Sequence, residues 1–189
     1  MHDNYYESEK ENLNFIESIN VDRKLNSTKS FLILVLYRTQ HFAYVRHYRV
    51  LRMLLGGVKS LIFFLFGLDS QISYKCQIGN YIRLPHCAMG VVISSKAKIG
   101  NHITIYHNTT IGVNENKPEN EKKVVINDYC YVSVGCKIIN CTIGENCTLA
   151  PNTVVYKDLS PNSFSYSVNK IRLKTDYEKK NNDNDSGFN

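Results

Sequence analysis

Aliphatic side chains return every six residues along the middle of this chain. They stand at Ile72, Ile78 and Leu84, then at Ile93, Ile99, Ile105 and Ile111, and again at Ile126, Val132, Ile138, Ile143, Leu149 and Val155. A small or apolar residue usually follows four places later, as at Cys76, Ile82, Ala88, Ala97, Ile103, Thr109, Cys130, Cys136, Cys147 and Thr153. A helix repeats near 3.6 and a strand near 2, so neither accounts for a sustained six. A parallel β-helix does: each hexad makes one flat side, and three sides make a coil. Residues 72–155 then hold about four coils of ~18 residues, stacked at the strand spacing of ~4.8 Å.

Two insertions interrupt the beat, and one turn is tightened, with five places from Ile138 to Ile143. Leu84 to Ile93 takes nine residues instead of six, and Ile111 to Ile126 takes fifteen. The longer excess carries the polar run Asn114–Lys123 (NENKPENEKK), which reads as an exposed loop. Upstream, residues 29–68 read as helices, with a break expected at Gly56-Gly57. Phe42, Tyr44, Val45, Tyr48, Leu51 and Leu55 fall roughly on one helical face, and Arg46, Arg49 and Arg52 on another. The chain divides into a polar segment 1–28 with weak helical patterning near Leu13–Ile19, a helical cap 29–70, a β-helix domain 71–160 with loop 113–125, and a C-terminal extension 161–189. Residues 174–189 of that extension read as disordered.

Charge sharpens the reading of the helices. The net charge of +6 is uneven: no acid lies between Arg23 and Leu68, while eight Lys and Arg do. A solenoid end exposes unpaired backbone that must be covered, so a cap over the first coil, touching neighbouring subunits, is the plainer use of these helices. Peripheral contact with an anionic membrane is the other. No apolar run approaches the ~20 residues of a membrane span, and no secretory signal is visible. The expected location is the cytoplasm, with peripheral contact at the inner membrane face as a further expectation. No nucleic-acid reading module is recognisable.

Five of the six cysteines, Cys76, Cys130, Cys136, Cys141 and Cys147, precede an aliphatic of the beat by two residues. That slot points inward and takes a small side chain, so they read as packed free thiols. No spacing suits zinc, and no metal is expected.

The register also brings two histidines together. Two places after the aliphatics of one prism side stand His86, His107, Val134 and Pro151. If the extra residues after Leu84 bulge outward, His107 lies beside His86, one coil on. A histidine near its ordinary pKa suits removal of a hydroxyl proton at neutral pH. The loop at 114–123 is expected to fold over the same groove.

Arg83–Ile93 (RLPHCAMGVVI) resembles the Asp-His-Ala-Thr-Gly-Ile-Val-Val segment of serine acetyltransferases. It is closer still to the R-L-x-H-x-x-G-x-V-I of serine-acetyltransferase-like enzymes from surface-polysaccharide clusters. Thr104–Gly112 (TIYHNTTIG) and Ala150–Leu159 (APNTVVYKDL) continue the likeness, which covers about residues 68–172. The resemblance implies a mainly β fold, a left-handed parallel β-helix of hexapeptide repeats, an exception to right-handed crossovers. It implies acetyl-CoA as co-substrate and a homotrimer with sites between subunits. His86 matches the general base. His107 and Asn108 are candidate acceptor contacts, and Gly112, Ser133, Val134, Ala150 and Pro151 are candidate coenzyme contacts. A backbone N–H within Met89–Val92 is the candidate oxyanion donor.

Departures bear on the acceptor. The family's acids just before the histidine and fifteen residues upstream correspond to Pro85 and Gln71, and Asp69 is out of register by two. The long loop has no histidine, and most of the family's large N-terminal helical domain has no counterpart here. The expected function is therefore an O-acetyltransferase acting on a sugar hydroxyl in capsule or lipopolysaccharide biosynthesis. Serine O-acetylation for cysteine biosynthesis is the alternative with the same chemistry, and a non-catalytic β-helix scaffold is the alternative without it. The acceptor is accordingly a small molecule or a glycan.

Overall fold

The computed structural model describes residues 13–167. Three helices, α1 (Phe15–Leu25), α2 (Thr28–Val45) and α3 (Arg49–Phe66), precede thirteen short parallel strands, β1–β13 in chain order. The strands stack into the three flat faces of a prism. Face A holds β1 (Gln71–Ile72), β3 (Val92–Ile93), β6 (Thr110–Gly112), β9 (Lys137–Ile139) and β12 (Val154–Val155). Face B holds β2 (Gln77–Ile78), β4 (Ala97–Ile99), β7 (Val124–Ile126) and β10 (Thr142–Ile143). Face C holds β5 (Thr104–Ile105), β8 (Tyr131–Val132), β11 (Thr148–Leu149) and β13 (Phe164–Ser165).

The six-residue beat is the core. Ile93, Ile111 and Ile138 are in register along face A, Ile99, Ile126 and Ile143 along face B, and Ile105, Val132 and Leu149 along face C. All nine are buried. Each contributes about 1.5–3 kcal/mol by leaving water. The thiols of Cys76, Cys130, Cys136, Cys141 and Cys147 are buried and unbridged, and they donate to nearby carbonyls. Burial pushes Cys76 up to about 12 and Cys130 and Cys141 up to about 11, so these thiols stay protonated and unreactive.

The helices close the open edge of the first coil, group by group. Tyr37 donates its hydroxyl to Cys76 O (3.0 Å) and accepts from Ile78 N (3.1 Å). Asn26 donates to Ile82 O and accepts from Leu84 N, doing the work of a neighbouring strand. Ser30 donates to Leu84 O at 2.6 Å, Lys59 to Ile72 O at 3.3 Å and Arg38 to Gly79 O at 3.0 Å. These bonds are why α2 buries Ser30 and Arg38 among its apolar residues. Tyr37→Phe leaves two backbone groups under the cap without a partner. It is expected to lower stability by about 1–3 kcal/mol, read by denaturant titration.

Three boundaries differ from the sequence reading. Gly56 and Gly57 lie inside α3 and do not break it; the break falls at Arg46–Tyr48, where His47 takes φ 58°. The cost of two glycines, about 1 kcal/mol each, is outweighed by the packing of α3 on α2 and on the prism through Phe63. The face expected to run from Phe42 to Leu55 is thus split between two helices. Within the polar segment, Asn14 and Glu17 form a reciprocal N-terminal cap that starts α1. The prism also runs past residue 160: Leu159 bridges to Ile143, and β13 pairs with β11. Leu159 follows Val155 by four places instead of six, so the beat is lost there although the coil is not. The segment 174–189 lies outside the described residues.

Candidate active site

The corner between faces C and A carries a ladder of turn hydrogen bonds that sets the candidate residues one above another. Asn108 N donates to Met89 O (2.8 Å), Gly135 N to His107 O (3.1 Å) and Asn152 N to Val134 O (2.8 Å). His86, His107, Val134 and Pro151 therefore lie along one edge of the prism. Gly90 and Gly135 take positive φ, 62° and 74°, at two of these turns. The side chains of Asn108 and Asn152 lie so close over them that a Cβ would collide.

His86 heads the line on the three extra residues. His86, Cys87 and Ala88 all take left-handed φ, at 53°, 60° and 52°. Side chains other than glycine rarely hold this region, and a run of three costs roughly 1–2 kcal/mol per residue. Strain of this kind persists where the surroundings enforce it, and functional sites are where it gathers. Here the enforcement is visible: Ala88 is fully buried below the turn, and Ser30 and Asn26 hold Leu84 on its approach. The turn carries the His86 side chain into solvent, where its ring meets His107 edge-on, centroids 4.8 Å apart at 70°. Tyr106 lies 5.8 Å from His86, and Tyr131 lies 5.4 Å from Tyr106. Partial burial, and then Tyr106, push the Tyr131 phenol up to about 12, so it remains a neutral donor.

The charged groups beside the pair are few. Lys137, one coil beyond Thr110 on face A, donates its ammonium to Asn108 O. Asp69 accepts from Gly90 N at 3.1 Å. The buried Nδ1 of His107 has no hydrogen-bond partner among the described residues. No group of three metal-ligating side chains occurs among the described residues.

Three expectations about this corner are changed. The N–H groups of Met89, Gly90, Val91 and Val92 donate to His86 O, Asp69 Oδ1, Ala88 O and Thr109 O. All four are engaged, and only that of Gly90 is held by a side chain able to give it up to an oxyanion. Gly112 does not join the others: it ends β6 at the far side of face A, paired with Ile139. Ser133 is buried at the end of β8, Ala150 is half-buried, and Val134 and Pro151 lie on the corner itself. Loop 113–123 leaves from the A–B corner and is tied there by the Glu119–Lys96 ion pair, a full face away from His86. Within one chain it does not cover the histidines. Lys137 and Tyr106 escaped the sequence reading, although each flanks a residue of the beat, Ile138 and Ile105.

No protein-family model matches the chain. Individual proteins do. The serine acetyltransferase of Synechococcus elongatus is 30 % identical over 130 residues, 68 % of this chain and 50 % of that protein. That of Bacillus subtilis is 28 % identical over 124 residues, 65 % of this chain and 54 % of its own length. The chain thus spans about half the length of these relatives. Among solved structures, Neisseria gonorrhoeae serine acetyltransferase in complex with serine superposes with a TM-score of 0.66 at 22 % identity, covering 84 % of this chain and 68 % of that one. Brucella abortus serine acetyltransferase in complex with coenzyme A gives 0.68 at 19 %, covering 82 % and 66 %. Soybean serine acetyltransferase complexed with serine gives 0.65 at 25 %, covering 84 % and 67 %. The prism is the left-handed β-helix of these proteins, and the chain is similar to serine acetyltransferases in sequence and in fold.

Proposed function

We propose that the chain transfers acetyl from acetyl-CoA to an acceptor hydroxyl, with His86 as the general base. The observation that carries this reading is the strained left-handed turn that lifts His86 to the head of the C–A corner, in a fold whose relatives include coenzyme A complexes. The imidazole takes the hydroxyl proton as the oxygen attacks the thioester carbonyl. The C–O bond forms, the C–S bond breaks, and the proton passes from His86 to the departing sulfur. Direct transfer needs only that both substrates be held in line. His107 and Asn108 would meet the acceptor. Val134 and Pro151, with Ser133 and Ala150 beneath them, would carry the pantetheine arm along the corner.

The corner is open in a single chain, with His86, Asn108 and Pro151 all exposed. Acyl transfer benefits from exclusion of water, and a neighbouring prism would close the groove. A homotrimer supplies three such grooves, and Gly112 would reach a groove only as a neighbour's residue.

L-Serine is the acceptor that the relatives' names favour. Asp69 and Lys137, on either side of the Gly90–Asn108 step, offer both signs of charge to an amino acid. A second reading, a sugar hydroxyl of capsule or lipopolysaccharide biosynthesis, has its own support: Pro85 and Gln71 occupy the positions of the family's acids, so no carboxylate orients His86 from them. Product analysis with acetyl-CoA and either L-serine or a sugar panel separates the two. O-acetylserine at millimolar serine is the expected product. Transfer to a sugar alone would replace serine by the second reading. Absence of both coenzyme binding and transfer would leave a scaffold.

A further inference from the structure

The helix α3 turns a bare apolar face outward. Val50, Met53, Leu54, Val58, Leu61, Phe64 and Leu65 are all exposed, Phe64 at 84 % and Met53 at 72 %. At 100° per residue they fall, with Gly57, on one continuous arc of about 140°. No charged side chain interrupts it. The opposite face is committed to the protein: Lys59 donates to Ile72 O, Phe63 packs on the core, and Arg52 lies over the rings of Tyr44 and Tyr74. The arc is therefore surplus to the fold of the described residues.

Charge distinguishes what would cover it. Arg46, His47 and Arg49 are exposed at the start of α3, and no acid occurs between residues 23 and 68. A second copy bringing the same face would oppose like charges with no carboxylate from this segment between them. An anionic bilayer complements both features, taking the apolar arc among its acyl chains and the arginines among its headgroups. No helix of the described residues is long and apolar enough to cross a membrane, so α3 would lie in the surface plane.

We infer that the outer face of α3 is a docking surface for an anionic phospholipid bilayer. The inference stands apart from the acetyl-transfer reading, since it uses neither His86 nor the C–A corner. The test is co-sedimentation of the full chain with vesicles of phosphatidylcholine alone or mixed with phosphatidylglycerol, with particle mass followed by light scattering. The wild type is expected to pellet with the anionic vesicles, and less so at raised salt. Leu61→Ser/Phe64→Ser is expected to weaken binding by more than about tenfold, with particle mass unchanged. Arg46→Gln/Arg49→Gln is expected to lose the preference for phosphatidylglycerol. Wild type that stays in solution with anionic vesicles would overturn the inference. So would a Leu61→Ser/Phe64→Ser variant that binds vesicles as wild type does, and a change in its particle mass would then identify a second copy as the occupant.

Discussion

His86→Ala is expected to lower the acetyl-transfer rate by about 10²–10⁴-fold, with thermal stability close to wild type. The side chain is exposed, and its ring contacts are with Tyr106 and His107 on the same corner. Its removal takes away the only ring that the left-handed turn projects from the corner. Alanine already holds this region two residues on, at Ala88 with φ 52°, so the turn is expected to keep its backbone in the variant. His107 stands one coil on, with centroids 4.8 Å apart, but it is half-buried and starts from a different turn. It is placed to meet the acceptor and not to replace the base. Steady-state release of CoA, measured with saturating acceptor, reads the effect. A His86→Ala variant as fast as wild type would remove this residue from the chemistry.

Arg38→Ala is expected to cost about 3–5 kcal/mol of stability, as loss of one partner of a buried ion pair does. Asp22 is fully buried, and Arg38 grips it with Nε and Nη2 while also donating to Gly79 O. Without the guanidinium, a carboxylate is left inside the joint between α1, α2 and the first coil. Burial already raises the pKa of Asp22 against the opposing pull of Arg38. A raised carboxyl contributes stability that is present at low pH and lost as pH rises through its folded value. The deficit of Arg38→Ala should therefore be smaller near pH 4 than near pH 7. Asp22→Asn/Arg38→Met, which removes both charges, should recover much of it. Denaturant titration at the two pH values checks all three expectations.

The legibility of the chain follows from where geometry is local. The beat placed Ile99, Val132 and Cys136 inside because each coil repeats one inward slot, and all three are buried. The same register set His107 beside His86, because three extra residues bulge without shifting the coils around them. What escaped depended on partners distant in sequence. The glycines in α3 looked like a break because their helix is held by packing on α2. The last coil is not legible in the spacing because Leu159 arrives two residues early. The placement of loop 113–123 turned on one ion pair, Glu119 with Lys96, which spacing does not reveal. Asp69 was out of register as an orienting acid and is instead bonded to Gly90 N. Gly112 stood among the candidate coenzyme contacts, yet the chain's own fold sets it across face A from the corner.

The most direct test of the central claim is a structure of the assembled protein with coenzyme A bound. The pantetheine arm is expected along the C–A corner, past Pro151 and Val134, with its sulfur beside the His86 imidazole. Coenzyme A seated on another face, or with its sulfur turned away from His86, would contradict it.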